Sequence, residues 1–277
     1  MIRLIASDMD GTLLDDEKRL PPSFFSLLQR LGQKGIRFVV ASGRSFPILK
    51  EQFASYLDEI CFICDNGACL AENGVITQAN VIPPALVSQV LTACASQQGM
   101  IPILCGIHGA YMLARNRQEV REIEQYYPNR CFLSDWGQLQ DDIVKITIYD
   151  VGDASKNTYP VLAPLFEKQL HAAVSGLHWV DMTNLAVNKG AALRRLQQRL
   201  GITAAETMAF GDFYNDVELL QNAGYSYVMA NANQDMRRYA RYIAPSNQEH
   251  GVVKVIEYQI FQQGANNPVR FSPYYSA

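Results

Sequence analysis

The sequence predicts an α/β fold: a Rossmann-like parallel sheet core carrying a second, inserted α+β domain. Three observations carry that prediction. Apolar runs at residues 2–6, 36–41 and 207–210 stop abruptly at Asp8-Met9-Asp10, Ser42-Gly43-Arg44 and Gly211-Asp212. Buried parallel strands end this way where they meet a ligand crevice. Helical apolar stripes separate the runs, as right-handed strand–helix–strand crossovers require. Between residues 83 and 186 the alternation gives way to clustered short strands with two or three helices, and from 187 it returns.

Each element follows from local pattern. After the Asp8 turn, Leu20-Pro21-Pro22 opens a helix whose stripe is Phe24, Leu27, Leu28 and Leu31, ended by Gly35. Ile48, Leu49, Phe53 and Tyr56 predict a second helix on one face, followed by a short strand at 61–64. Asp65-Asn66-Gly67 and Glu72-Asn73-Gly74 are turn signals, read together as a hairpin at the sheet edge, with Asn66 serving turn chemistry. In the insert, Leu86, Val87, Val90, Leu91 and Cys94 predict a helix. Strands follow at 101–105 and 110–113, around His108-Gly109. Val120, Ile123, Glu124 and Tyr127 predict another helix, and 143–149 alternates as a half-buried strand. Val161, Leu162, Leu165, Phe166 and Leu170 predict a long helix, followed by strands at 172–174 and 179–182.

The core pattern then resumes. Asn188-Lys189-Gly190 starts a helix that Gly201 ends, and the strand at 207–210 leads into Gly211 through Asp216. A helix with Val217, Leu219 and Leu220, strands at 226–229 and 242–243, and a closing helix over 251–261 complete the pattern. The tail from Gly264, rich in Asn, Pro, Ser and Tyr, is expected to be poorly ordered or docked on the surface. The predicted domains are a discontinuous core, 1–82 and 187–277, and an insert, 83–186.

Composition narrows the function classes. The 277 residues are 48% hydrophobic and 18% charged, as in an ordinary soluble protein. A net charge of −3 argues against broad nucleic-acid binding. No apolar run reaches the ~20 residues of a membrane helix. The opening run is broken by Arg3 and ends in aspartates, so it is not read as a signal peptide, and a cytoplasmic location is expected. Cys61 and Cys64 bracket Phe62-Ile63 in an apolar run with no second such pair, so they read as core thiols rather than zinc ligands. His108, His171, His178 and His250 have no metal-ligand spacing.

If the three polar strand ends share one sheet edge, they bring up to four carboxylates, a hydroxyl, an asparagine and a lysine into one crevice. Like charges cannot be packed there uncompensated. A hard divalent cation with oxygen ligands is the remedy, and Mg2+ suits it, since it takes one or two carboxylates with water and phosphate oxygens. Taken singly, each residue has a plainer use. Ser42, Asp212 and Asn215 could cap helices, and Lys189 could be solvated.

Four motifs occur in order: Asp8-Met9-Asp10-Gly11-Thr12, Ala41-Ser42-Gly43-Arg44, Asn188-Lys189-Gly190, and Gly211-Asp212 through Asn215-Asp216. They resemble the haloacid dehalogenase superfamily of phosphohydrolases, and within it the Cof-type branch with an inserted α/β (class IIB) cap. Asn66-Gly67-Ala68 and the stretch from Ser246-Asn247 to Gly251-Val252 support the likeness. Leu185-Ala186-Val187 departs from it, where the branch often has a glycine ahead of the lysine.

The resemblance implies that Asp8 is the nucleophile, forming an aspartyl-phosphate, and that Asp10 is general acid and base. It implies phosphate contacts from Ser42, Gly43, Lys189, Asn215 and the backbone N–H groups of residues 9–11. The implied metal ligands are Asp8, the backbone carbonyl of Asp10, and Asp212, with Asp216 orienting them. Arg44 is divided between a phosphate contact and a salt bridge to the acidic cluster. The insert is expected to close over the sheet edge on hinges near Ile82-Pro83 and Leu185 to Val187. Tyr111, Met112, Arg115 and Trp179 are candidates for specificity, though such residues commonly pack cores.

The expected substrate is a small phosphorylated metabolite of the sugar phosphate, flavin mononucleotide or pyridoxal phosphate class. No nucleic acid or membrane partner is expected, and a homo-oligomer is left open. A phosphosugar mutase or phosphotransferase would use the same aspartates. A non-catalytic metabolite-binding protein would not need Asp10.

Overall fold

The computed structural model describes residues 1–127 and 129–262, apart from the side chains of 122, 123 and 125. The predicted tail from Gly264, and Ile123 of the predicted helical stripe, lie outside what is described. By Cα proximity the chain divides into two compact units. Among the described residues, one comprises 1–44, 53–77 and 188–262; the other comprises 45–52 and 78–187.

The N-terminal stretch forms β1 (Leu4–Asp8), α1 (Phe24–Gln33), β2 (Arg37–Ala41), α2 (Phe46–Gln52), β3 (Ile60–Cys64), β4 (Cys69–Glu72) and β5 (Val75–Ala79). The predicted helical stripe through Phe53 and Tyr56 is corrected: α2 ends at Gln52 and a separate 3-10 turn covers Ala54–Tyr56. The insert forms α3 (Pro84–Ala95), β6 (Met100–Gly106), β7 (Ala110–Leu113), β8 (Arg130–Leu133), β9 (Ile143–Asp150), α4 (Thr158–Phe166), β10 (Leu170–Gly176) and β11 (Trp179–Asn184). The chain then forms α5 (Lys189–Leu200), β12 (Thr207–Gly211), α6 (Val217–Gln221), β13 (Tyr225–Met229), β14 (Tyr242–Ala244) and α7 (Gly251–Ile256).

The first unit is built on an eight-stranded sheet of order β14-β13-β12-β1-β2-β3-β4-β5. Pairing is parallel from β14 to β3, and β4 turns back antiparallel. From β1 the chain winds first toward β2 and later toward β12. The carboxyl end of β1 is therefore the point where strand order reverses, and open α/β sheets bind ligands at such a point. Register places Asp8 opposite Ala41, and Ser7 opposite Phe210. All four α1 stripe residues are buried, each worth about 1.5–3 kcal/mol relative to exposure. The predicted closing helix over 251–261 is helical throughout: α7 (Gly251–Ile256) runs on as a π-helical segment, Glu257–Gln262.

The second unit has a six-stranded sheet of order β10-β11-β9-β6-β7-β8. Leu86, Val90, Leu162 and Phe166, from α3 and α4, pack with Leu104, Ile146, Ile148, Val180 and Met182 on one face. Ile101, Ile103, Cys105, Met112 and Val120 form a second cluster. The predicted half-buried β9 is corrected by this second layer. Lys145 and Thr147 are buried as well, and the Thr147 hydroxyl donates to Asp181 at 2.5 Å. The predicted helix around 120–127 is a 3-10 segment, Arg121–Tyr126, and β8 was not anticipated. The long helix predicted to reach Leu170 ends at Phe166, and Leu170 begins β10. Cys61, Cys64, Cys69, Cys94 and Cys105 are free and buried, and Cys131 is free and exposed. Among the described residues, no helix is long and apolar enough to cross a membrane.

Candidate active site

Three carboxylates and one ammonium occupy the strand-order reversal. Asn188 caps α5 by accepting the N–H of Ala191 at 2.6 Å, which satisfies a donor the helix leaves unpaired. That cap fixes Lys189 as the first helical residue, and its side chain is fully buried. Its Nζ donates to Asp8 Oδ1 at 2.5 Å and to Asp216 Oδ1 at 2.7 Å. Gly190 permits this approach, because a Cβ there would press into the backbone of Glu218. The other oxygen of Asp216 accepts the N–H groups of Asp212 (3.1 Å) and Phe213 (3.2 Å). Asp216 thus holds the turn after β12 while balancing Lys189. The plainer reading, in which Asp212 or Asn215 caps that turn, does not hold; Asp216 accepts there.

Asp212 lies across from the loop after β1. Its Oδ1 accepts from the Thr12 hydroxyl at 2.7 Å. Gly11 is at φ +83°, and a Cβ there would collide with the Asp212 carboxylate, so both backbone and space require glycine. Asn231 Nδ2 donates to the Gly11 carbonyl at 2.8 Å, and Asn231 Oδ1 accepts the N–H of Asn247 at 3.1 Å. Buried Asn247 in turn donates Nδ2 to the Leu14 carbonyl (3.1 Å) and to Asp16 Oδ1 (2.9 Å). These asparagines tie the loop from residue 11 to residue 16 to the far end of the chain.

Asp10 turns to cations. Arg44 Nη2 donates to both of its oxygens, at 2.9 and 3.1 Å, and Lys18 Nζ lies 2.8 Å from Oδ1. Arg44 therefore takes the salt-bridge option. Ser42 is buried, and its Oγ accepts the N–H of Arg44 at 3.1 Å. Asn215 Nδ2 donates to Asn66 Oδ1 at 3.0 Å. A Cβ on Gly43 would come within 3.3 Å of Asn66 Nδ2, so Asn66 borders the same edge while also standing in the left-handed turn conformation, φ +55°.

The electrostatics are under-compensated. Burial, then Asp216, push the Asp8 carboxyl up to about 8 against the pull of Lys189. Burial likewise lifts Asp212 to about 6, against its Thr12 bond. Burial alone would lower Lys189, but Asp216 and Asp8 hold it above its ordinary value and so charged. Burial pushes Asp10 up, yet Lys18 and Arg44 outweigh it, and the carboxyl lies below its usual value. Asp8, Asp212 and Asp216 offer oxygens all within 4.8 Å of one another. That donor set, hard and anionic, fits a divalent cation.

Of the residues the sequence singled out, Lys189 contacts Asp8 and Asp216 directly, Asp216 holds the N–H of Asp212, Arg44 joins Ser42 to Asp10, and Asn215 meets Asn66 beside Gly43. Reasoning from sequence missed Lys18 and Asn231, and it gave no role to Thr12 or Asn247 beyond the motifs that contain them. Nothing periodic marks such residues. They act through a loop closed by contacts two hundred or more positions apart.

The model of the haloacid dehalogenase-like hydrolases matches residues 5–256. The 5-amino-6-(5-phospho-D-ribitylamino)uracil phosphatase of Escherichia coli is 32% identical over 92% of this chain and 95% of its own. The HMP-PP phosphatase of Cronobacter sakazakii is 30% identical over 84% of this chain and 85% of its own. A solved haloacid dehalogenase-like hydrolase from Bacteroides thetaiotaomicron superposes with a TM-score of 0.81 at 25% identity, covering 93% and 99% of the two chains. Since the matched span begins in the strand that delivers Asp8 and runs past the turn that Asp216 holds, the chain is a phosphatase-type enzyme of the haloacid dehalogenase-like hydrolase family.

Proposed function

We propose that this chain is a magnesium-dependent phosphomonoesterase acting on a small phosphorylated metabolite in the cytoplasm. The observation that carries the reading is buried Asp8 at the end of β1, 2.5 Å from an ammonium that Asp216 also holds. One Asp8 oxygen accepts from Lys189, which leaves the other to attack phosphorus and form an aspartyl-phosphate as the alkoxide departs. Lys189 offsets the charge that the carboxylate and the phosphate bring together. Ser42, Gly43, Asn215 and the N–H groups of residues 9–11 bind the phosphoryl oxygens. Asp10 starts ionised between Lys18 and Arg44. The negative charge of an arriving phosphate opposes those cations, and the carboxyl takes up a proton from solvent. It then gives its proton to the leaving oxygen and later takes one from the attacking water.

Asp8, Asp212 and the backbone carbonyl of Asp10 would hold Mg2+, with Asp216 orienting them; when bound, the ion supplies positive charge to the transferring phosphoryl group. The domain assignment that goes with this reading is a core of 1–82 and 187–277 with a substrate-selecting insert, 83–186. The separate apolar cluster of the second unit supports it. The two named relatives, a 5-amino-6-(5-phospho-D-ribitylamino)uracil phosphatase and an HMP-PP phosphatase, support a small phosphorylated metabolite as the substrate.

The test is phosphate release from a panel of phosphorylated metabolites with and without magnesium. Release unaffected by chelation would overturn the metal assignment. Asp10→Asn is expected to lower kcat by about 10²–10⁴-fold while magnesium still raises the melting temperature. Loss of that magnesium effect would move Asp10 from proton transfer to metal binding through its side chain.

Stability should carry the same signature. Asp8 and Asp212 bind protons more tightly in the folded chain than the ordinary value of 3.8. Between about pH 4 and pH 8 the folded state therefore holds protons the unfolded chain has released, and stability falls as pH rises. The melting temperature of chelated protein should drop by several degrees across that window, at ~2–4 °C per kcal/mol for a chain of this size. Magnesium should remove most of the slope. A chelated protein that gains stability from pH 5 to pH 8 would contradict the assignment.

A further inference from the structure

The sheet of the second unit has a break between β6 and β7. β6 pairs with β9 from Met100 to Gly106, but with β7 only at Leu104 opposite Tyr111 and Cys105 opposite Ala110. Two positions before Leu104 stands Pro102, which has no N–H with which to continue that ladder. A cavity of about 270 Å³ lies at the break, bounded by Met100 and Pro102 on one side and Leu113 on the other. Leu91 and Ala95 of α3 supply another wall, and Trp136 a third. The indole is held in place. It opens a 3-10 turn, Trp136–Gln138, capped by Asp135 Oδ1 accepting the N–H of Gly137 at 2.8 Å, and it packs on the apolar cluster of this unit.

The polar groups at this cavity are unspent. Arg115 and Asn116, in the 3-10 turn that follows β7, both line it. Among the described residues, neither side chain has a hydrogen-bond or ion-pair partner. Neighbouring charges do have partners: Arg117 lies 5.2 Å over the Phe132 ring, and Glu124 accepts from Arg130 at 2.5 Å. Glu119, exposed on the same stretch, makes no ion pair with Arg115. Arg115 is the one charged residue among the described residues that line the cavity. Thr92 also lines it, but its hydroxyl already donates to the Ser88 carbonyl at 2.9 Å.

We propose that this cavity binds a small aromatic carboxylate, its ring between Pro102, Leu113 and Trp136 and its acid on Arg115 and Asn116. The size fits. An apolar cavity of about 150 Å³ holds benzene, so this one takes a ring with a short acid arm. A guanidinium presents paired N–H donors that match a carboxylate. One cation balances one carboxylate, whereas a phosphate dianion would leave a charge uncompensated beside apolar walls. The indole face favours an aromatic body over an aliphatic one. None of the lining residues belongs to the site around Asp8, so the proposal stands apart from the phosphatase reading.

Calorimetric titration of the full chain with phenylacetate, phenylacetamide and acetate tests it. Phenylacetate should bind with a Kd on the order of 0.1–1 mM, as a compact ligand of its size can. The neutral amide and the ringless acid should each bind about tenfold more weakly or worse. Arg115→Gln should weaken phenylacetate by about the same factor. Ala95→Met should abolish binding by filling the cavity. Both residues are exposed, so the melting temperature should hold in either variant. Phenylacetate should also quench tryptophan fluorescence in Trp179→Phe, where Trp136 is the remaining indole. No heat and no quenching up to about 10 mM, a Kd of at least ten times the upper expected value, overturns the proposal. So does equal affinity for the amide, undiminished binding in Arg115→Gln, or undiminished binding in Ala95→Met, which would put the ligand elsewhere.

Discussion

Asp8→Asn should abolish phosphate release, lowering kcat by about 10⁴-fold or more, as loss of a nucleophile does in other covalent catalysts, and should leave the fold intact. The substitution is nearly isosteric. The asparagine oxygen can still accept from Lys189, so the ammonium keeps both partners, while the amide can no longer form the bond to phosphorus. Because Asp8 is nearly buried, with burial opposing its charge, neutralising it should not destabilise chelated protein. The upper part of the pH dependence of stability, toward pH 8, should flatten in the variant. The checks are phosphate release, circular dichroism and the melting temperature with chelator. Wild-type turnover in Asp8→Asn would remove the proposed mechanism. A variant that is inactive because it no longer folds would show Asp8 to be a structural anion instead.

Much of this site could be foreseen, because its residues sit where hydrophobic pattern and polarity change together. A run such as Leu4 to Ala6 can be nothing but buried, and the carboxylate that ends it must emerge at the sheet edge. The same holds for Ala41 before Ser42 and for Phe210 before Gly211-Asp212. Asn188 was legible for a different reason: a capping side chain followed by an amphipathic stripe marks a helix start, and that start is what buries Lys189.

The misses share a physical cause as well. Lys145 and Thr147 alternate with isoleucines, so β9 looked half-solvated, but a second layer covers that face and Asp181 meets the hydroxyl. Pairing of this kind is set by tertiary context, which a strand's own pattern does not contain. The segment at 121–126 has helical spacing, yet it forms only 3-10 turns; short helices depend on packing more than on propensity. Lys18 lies in a charged stretch, Asp15 to Arg19, that carries no apolar pattern to place it. Its backbone conformation, and hence its aim at Asp10, follows from Asp15 and Asn247 closing the turn. Asp216 was placed near the metal ligands, but its bonds to the Asp212 and Phe213 N–H groups were not foreseen.

Lys189→Met should be the most destabilising single change in the site. The methionine nearly matches the lysine stem in volume, so the cost is electrostatic rather than a cavity. Removing the ammonium leaves Asp8 and Asp216 buried with no cation between them. Breaking a buried pair in this way costs about 3–5 kcal/mol, on the order of 10 °C in melting temperature for a chain of this size. Activity should disappear with it. Adding Asp216→Asn should return part of the lost stability without returning activity, because the penalty belongs to the uncompensated charge and not to the lysine itself. A double-mutant cycle would measure that coupling. If the second substitution instead adds its own full penalty, the lysine stabilises the protein through its packed stem, and the charge balance assigned to Asp8, Lys189 and Asp216 is wrong.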